Sequence, residues 1–172
     1  DASANIVVVG IEEGEFNDRA SLRLSESQEQ LIHTVAKNGK KTIVVLVGGS
    51  AVNMESWIEE VDGILAVWYP GEAGGRAVAK VLNGSVNPSG KLPITYPMNE
   101  AQLPLVYNHL PTGRGDDYRN QSGEPLFPFG FGLSYTNFEF TEIPNEGDLI
   151  YQLGDTVKIK MKLTNSGTIQ GA

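Results

Sequence analysis

Apolar residues recur along the first hundred positions with two different periods. Ile6-Val7-Val8-Val9 is a continuous β-branched run closed by Gly10, the pattern of a buried strand. Ser25 followed three residues later by Gln28 resembles a capping box. Leu31, Ile32, Val35 and Ala36 then share one helical face, and Asn38-Gly39 stops the helix. Thr42 to Val47 reads as a second buried strand closed by Gly48-Gly49. Asn53 is placed to cap a short helix running through Trp57 to Val61, and Gly63 to Trp68 reads as a third strand ended by Pro70-Gly71. Ala77, Val78, Val81 and Leu82 form the apolar face of a helix from near Gly74 to Asn83-Gly84. Leu92 to Tyr96 reads as a fourth short strand bracketed by Pro93 and Pro97.

This β-α-β-α-β-α-β order predicts an α/β fold, a mostly parallel sheet flanked by helices. Such a sheet carries its ligand-facing loops at the carboxyl ends of its strands. Three loops therefore matter most: Gly10–Arg19, Gly48–Asn53 and Tyr69–Gly75.

From about Met98 to Tyr135 the periodicity disappears, and Pro, Gly, Asn and aromatic residues dominate. A loop this long in a compact protein is usually ordered and functional or laid across another domain. Phe127, Phe129 and Phe131 alternate, which on an extended chain puts three rings on one side and predicts a domain-contact surface. Phe138 to Phe140 reads as a short strand. Val157, Ile159, Met161 and Leu163 then alternate with Lys158, Lys160 and Lys162, the pattern of a half-buried antiparallel strand. The expected division is an α/β sandwich domain over 1–135, lacking its first part, and a linker plus the truncated start of an all-β sandwich over 136–172. The chain opens on Asp-Ala-Ser-Ala-Asn and closes just after a strand-like run, so both ends read as cuts through a longer protein; a processed terminus at residue 1 is the alternative.

Composition narrows the function classes. Forty per cent of the 172 residues are apolar and 20% charged, enough to bury a core. The net charge of −8 argues against nucleic acid and against anionic membrane surfaces as partners. Zero cysteine excludes disulfides, thiolate metal sites and a thiol nucleophile. His33 sits beside Leu31 and Ile32 without a second ligand at metal spacing, and His109 lies in a loop with no metal signature, so no metal or cofactor is expected. Tyr69-Pro-Gly-Glu-Ala-Gly-Gly75 fits neither nucleotide-binding glycine pattern and reads as a tight turn onto a helix. Ser50 is not a nucleophile elbow, because Val52 breaks the Gly-x-Ser-x-Gly frame. Trp57 and Trp68 read as core.

The remaining chemistry is in Gly10-Ile-Glu-Glu-Gly-Glu-Phe-Asn-Asp-Arg19, where several carboxylates follow a strand end. A loop carboxylic acid beside a sugar can protonate a departing glycosidic oxygen. The competing reading is a solvated acidic loop with Asp18 and Arg19 as a structural pair.

Four segments resemble glycoside hydrolase family 3, the β-glucosidase/β-xylosidase family: Glu13–Leu24, Trp68–Ala79, Asn87–Pro97 and Pro125–Phe138. The tail at 157–168 resembles the opening strand of the fibronectin type III-like domain that often follows. The resemblance implies a retaining β-glycosidase acting on β-linked glucoside or xyloside oligosaccharides. It places the nucleophilic aspartate on an N-terminal barrel domain of the same protein, and the acid/base glutamate on a loop of this α/β sandwich domain. Retention requires both carboxyl groups, about 5 Å apart. Four short strands cannot make eight βα units, so no barrel is expected here and the chain alone is expected to be inactive. Aligning on Asp18-Arg19 puts Glu15 at the acid/base position, with Glu13 as the other candidate and Glu12 behind both, while Asp18 and Arg19 hold the loop. The resemblance also implies a periplasmic or secreted rather than cytoplasmic location. The alternative function is a non-catalytic carbohydrate-binding or scaffold module of the same descent.

Overall fold

A computed structural model describes residues 2–110, 112–143 and 150–171. Part of the expected linker, 144–149, lies outside the described residues. The chain divides into two units, one of residues 1–79 with 91–131 and one of 80–90 with 132–172.

The first unit is built on three parallel strands, β1 (Ala4–Gly10), β2 (Lys41–Val47) and β3 (Gly63–Trp68), in that spatial order. The register runs from Ala4 opposite Lys41 to Gly10 opposite Val47, and from Ile43 opposite Gly63 to Val47 opposite Trp68, with a bulge after Leu46. Helix α1 (Glu26–Ala36) makes the first crossover and α2 (Gly74–Leu82) follows β3. Central β2 buries Thr42, Val44, Val45 and Leu46. The core gathers Val7, Val9, Ile32, Val44, Val52, Met54 and Trp57, with Leu92 and Phe127 packed against it. β1 differs from the expected buried strand: Val7 and Val9 face the core, but Ile6 and Val8 are 54% and 63% exposed. An edge strand covered on one face buries only alternate residues.

Three other local expectations change. Ser25 stands at the N-cap of α1 without a side-chain cap bond. Gln28 does reach the Ser25 hydroxyl at 3.2 Å, but mainly clamps Gly10, donating to its carbonyl at 2.9 Å and accepting from its amide at 2.7 Å. The helix expected after Asn53 is a single 3₁₀ turn, Ile58–Glu60, although Asn53 does accept from the Glu55 amide at 3.0 Å. Leu92–Tyr96 is not a fourth parallel strand. It pairs antiparallel with 127–131 through Leu92 N to Phe131 O (2.8 Å), Gly130 N to Leu92 O (2.8 Å) and Tyr96 N to Phe127 O (2.9 Å). Pro93 and Pro97 have no amide hydrogens, so this segment cannot sustain a ladder.

The 98–126 segment is ordered from within. The buried Gln102 side chain accepts from the Met98 amide at 2.6 Å and donates to the carbonyls of Ser122 and Glu124 at 3.2 and 2.9 Å. The three phenylalanines do not form one row. A turn closed by Phe131 N to Pro128 O, with Gly130 at φ 82°, breaks the extended chain. Phe131 stacks on Phe127 with centroids 4.7 Å apart, while Phe129 stacks separately on Tyr107 at 4.6 Å.

In the second unit β4 (Phe138–Glu142) pairs antiparallel with β5 (Met161–Asn165), so the all-β start is present. The strand is shorter than the Val157–Leu163 pattern implied. Its apolar positions Val157, Ile159, Met161 and Leu163 are 53–72% exposed rather than half-buried, since a two-stranded ribbon has no second layer to cover them.

Candidate active site

The three loops at the carboxyl ends of β1, β2 and β3 meet at one carboxylate, Glu13. Its Oε2 accepts from the Gly49 amide at 2.7 Å and from the Tyr69 hydroxyl at 2.6 Å. Its Oε1 accepts from the Ser50 hydroxyl and lies 3.5 Å from Arg19 Nη2. Arg19 also donates to Ser50 Oγ at 2.8 Å and to the Ala51 carbonyl at 3.3 Å, so the far end of the same loop is tied to the same segment. The near end is held by Ile11 N to Val47 O at 3.2 Å and by the Gln28–Gly10 pair.

Backbone shape makes this convergence possible. A Cβ on Gly10 would lie 2.6 Å from the Val47 carbonyl oxygen. One on Gly49 would lie 2.7 Å from the Tyr69 ring and 3.0 Å from Glu13 Oε2. Glycine at these positions lets neighbouring backbone and the carboxylate approach closely.

Glu15 occupies the opposite situation. Asn17 N donates to Gly14 O at 3.0 Å and closes a four-residue turn whose two central residues are Glu15 and Phe16. Phe16 has φ 63° and is 97% exposed. Glu15 is exposed and makes no hydrogen bond or ion pair within the described residues. Glu12 is exposed as well, and so is Asp18; the ion partner of Arg19 is Glu13 rather than Asp18.

The electrostatics of Glu13 follow from its partners. Burial alone pushes the Glu13 carboxyl up and is the largest single influence. The hydrogen bonds from Ser50, Tyr69 and Gly49 and the charge of Arg19 outweigh it together, holding the group below its ordinary 4.5. Tyr69 is raised, first by its hydrogen bond to Glu13, then by burial and the Glu13 charge. A group depressed in the folded state contributes stability above its unfolded value and loses it as pH falls through the folded value. The stability gap between the protein and Glu13→Gln is therefore expected to be full at neutral pH and to close below about 4.5. Urea melts at pH 7 and pH 3 measure it, and a gap that widens in acid has the wrong sign.

His33 Nδ1 pairs with Glu60 at 3.0 Å. Among the described residues no three His, Asp or Glu side chains form a metal-holding group. Trp57 is fully buried, and Trp68 packs edge-on against Tyr96 with centroids 6.4 Å apart. Gly74 is buried against Pro70, consistent with a tight turn onto α2. A cleft of about 450 Å³ opens elsewhere in the first unit, lined by Thr95, Tyr107, His109, Asp116, Glu124 and Phe129. There His109 Nε2 lies 3.2 Å from Asp116 and holds that carboxyl below its ordinary value. Sequence reasoning singled out neither Tyr69 nor Gly49 as a partner of Glu13; their only signal was position at strand ends.

A parallel βα sheet with glutamates gathered on the loops at its carboxyl edge matches the domain class that the motifs implied. Residues 1–135 match the family model "Glycosyl hydrolase family 3 C-terminal domain", and the chain belongs to that family. It is 35% identical over 184 residues to the periplasmic beta-glucosidase of Salmonella typhimurium, covering 99% of this chain and 24% of that one. It is 38% identical over 177 residues to a beta-xylosidase of Formosa agariphila, with 99% and 24% covered. Among solved structures, beta-glucosidase from Listeria innocua in complex with gluconolactone superposes with a TM-score of 0.75 at 35% identity, over 81% of this chain and 22% of that one. Beta-glucosidase 3B from Thermotoga neapolitana in complex with glucose gives 0.75 at 33% identity, over 96% and 26%. The chain thus spans about a quarter of the length of these relatives.

Proposed function

We propose that this chain is the acid/base-bearing part of a retaining β-glycosidase that hydrolyses β-linked glucosides or xylosides. Glu15 is the proton shuttle, and the nucleophilic aspartate belongs to an N-terminal barrel domain of the same protein. The observation that carries the reading is the position of Glu15: an unpaired carboxyl at the tip of a tight turn, beyond the carboxyl edge of a family 3 α/β sheet. A proton shuttle must reach a substrate outside its own domain and must both give and take a proton. Glu13 does not meet the second need, because its oxygens already accept three hydrogen bonds and lie beside Arg19, all of which favour the anion. The names of the relatives support β-glucosides and β-xylosides as substrates and a periplasmic or secreted location.

Double displacement needs two carboxyl groups flanking the bond, and this reading supplies one of them. The pure chain is therefore expected to release no nitrophenol from aryl β-glucosides. Turnover by the pure chain that disappears when one aspartate of residues 1–172 is changed would overturn the reading.

The second reading, a non-catalytic carbohydrate-binding module, has one observation in its favour. The 450 Å³ cleft combines the stacked Tyr107–Phe129 pair with carboxylates, the side chains that hold sugar faces and hydroxyls. The upstream gene sequence separates the two. A barrel bearing a suitable aspartate favours catalysis, and its absence favours binding.

A further inference from the structure

Glu13 is held by three hydrogen bonds and the Arg19 ion pair, and no step of the proposed hydrolysis uses it. We infer that it is a positioning residue, an anionic post that fixes the Gly14–Asn17 turn on the carboxyl ends of β2 and β3 and so sets where Glu15 stands. The inference rests on reading Glu15 as the acid/base.

The geometry supports it in three ways. First, the partners come from three stretches around the loop: the Gly49 amide and Ser50 hydroxyl after β2, the Tyr69 hydroxyl after β3, and the Arg19 cation at the loop's own far end. A carboxylate bound from three directions cannot slide along any one of them. Second, the turn starts at the very next residue. Gly14 O accepts from Asn17 N, so Glu15 is two residues from the post, on a turn with its own closing hydrogen bond. The turn that carries Glu15 therefore follows directly on the anchored residue. Third, the anchor points have no slack. A Cβ at Gly49 would displace the Tyr69 ring or the Glu13 carboxylate, and Arg19 is held to Ser50 and the Ala51 carbonyl. Charge-assisted hydrogen bonds of this kind are about twice as strong as neutral ones, so the ion itself holds the loop. Tyr69 is half of the clamp: its hydroxyl shares Oε2 with the Gly49 amide and reaches in from a ring that is 63% exposed. A loop that must hold a proton donor against a substrate on another domain gains from such a post, because an error of about 1 Å can cost on the order of 10²-fold in rate.

The test uses the complete glycosidase that carries these residues, with variants Glu13→Gln and, as the milder change, Tyr69→Phe. Two readouts are taken together: exchange of the Asn17 amide, which closes the turn, and the steady-state constants on an alkyl β-glucoside. The expected result for Glu13→Gln is exchange at Asn17 about tenfold faster with α1 unchanged. With it, kcat falls by about 10- to 10²-fold while KM holds within about twofold. Tyr69→Phe gives the same pattern at smaller amplitude. Unchanged exchange at Asn17 in both variants overturns the post. Faster exchange with unchanged kcat overturns the positioning role. The reading of Glu15 is judged separately, by whether added azide restores a Glu15→Ala enzyme; its failure leaves the exchange result standing and removes only the rate effect.

Discussion

Glu15→Ala, in a complete glycosidase joining this chain to the barrel domain proposed above, is expected to slow hydrolysis of alkyl β-glucosides by about 10²- to 10⁴-fold, the usual contribution of a positioned general acid or base. The loss depends on the leaving group. An alkoxide must be protonated as the glycosidic bond breaks, whereas a dinitrophenolate departs with little assistance, so formation of the glycosyl-enzyme from the activated substrate suffers far less. Its breakdown still needs a base to activate water. Azide attacks without one, so it should restore turnover of the activated substrate and give the β-glycosyl azide, since two inversions retain configuration. The combination of leaving-group selectivity and azide rescue is specific to the shuttle. Glu13→Ala, by contrast, leaves the proposed shuttle carboxyl present but unanchored, with Gly49, Ser50 and Tyr69 lacking their acceptor and Arg19 its ion partner. If Glu13→Ala shows the azide rescue and Glu15→Ala does not, the acid/base lies two residues earlier than proposed.

Trp57→Ala is expected to cost about 3–5 kcal/mol of folding stability, the range for truncating a large aromatic in a closed core. Trp57 is 0% exposed and lies with Ile32, Val44 and Met54 in the centre of the first unit. Its removal leaves a cavity bordered by strand and loop residues that the sheet register prevents from collapsing. Domains of this size hold only about 5–15 kcal/mol in reserve, so the variant should be marginal. The indole Nε1 is buried without a hydrogen-bond partner among the described residues. Trp57→Phe therefore forfeits volume but also removes an unsatisfied donor, and it should retain most of the stability. Urea unfolding followed by far-ultraviolet circular dichroism ranks the three proteins. A Trp57→Ala protein within about 1 kcal/mol of the parent would mean that the core closes around the gap.

Much of this molecule is legible in its residue order. The β-branched runs at Ile6–Val9 and Thr42–Val47, the Gly63–Trp68 run and the face of α1 predicted the three parallel strands and their crossover. Local periodicity reports local structure, because a strand or helix buries the face its own sequence makes apolar. The same logic located the loops at the strand ends, and the family resemblance then narrowed the candidate chemistry to Glu12, Glu13 and Glu15. It failed where partners lie far along the chain. Leu92–Tyr96 looks apolar enough for the parallel sheet, but its amides and carbonyls answer to 127–131, some thirty-five residues on. Gln28 looks like the second half of a capping box, yet its amide closes the end of β1.

The sequence alone determined the fold class, the family and a loop of acidic residues. The family resemblance ranked Glu15 ahead of Glu13, but only the tertiary structure gave the two their different surroundings. Glu13 and Glu15 are the same residue type two positions apart, and no periodic rule ranks them. What separates them is what stands around each: Gly49, Ser50 and Tyr69, brought from 36 to 56 residues away, on Glu13, and none of these donors on Glu15. Those donors arrive because parallel pairing aligns the carboxyl ends of β1, β2 and β3, a long-range consequence of sheet register that the order of residues around positions 13 and 15 does not encode.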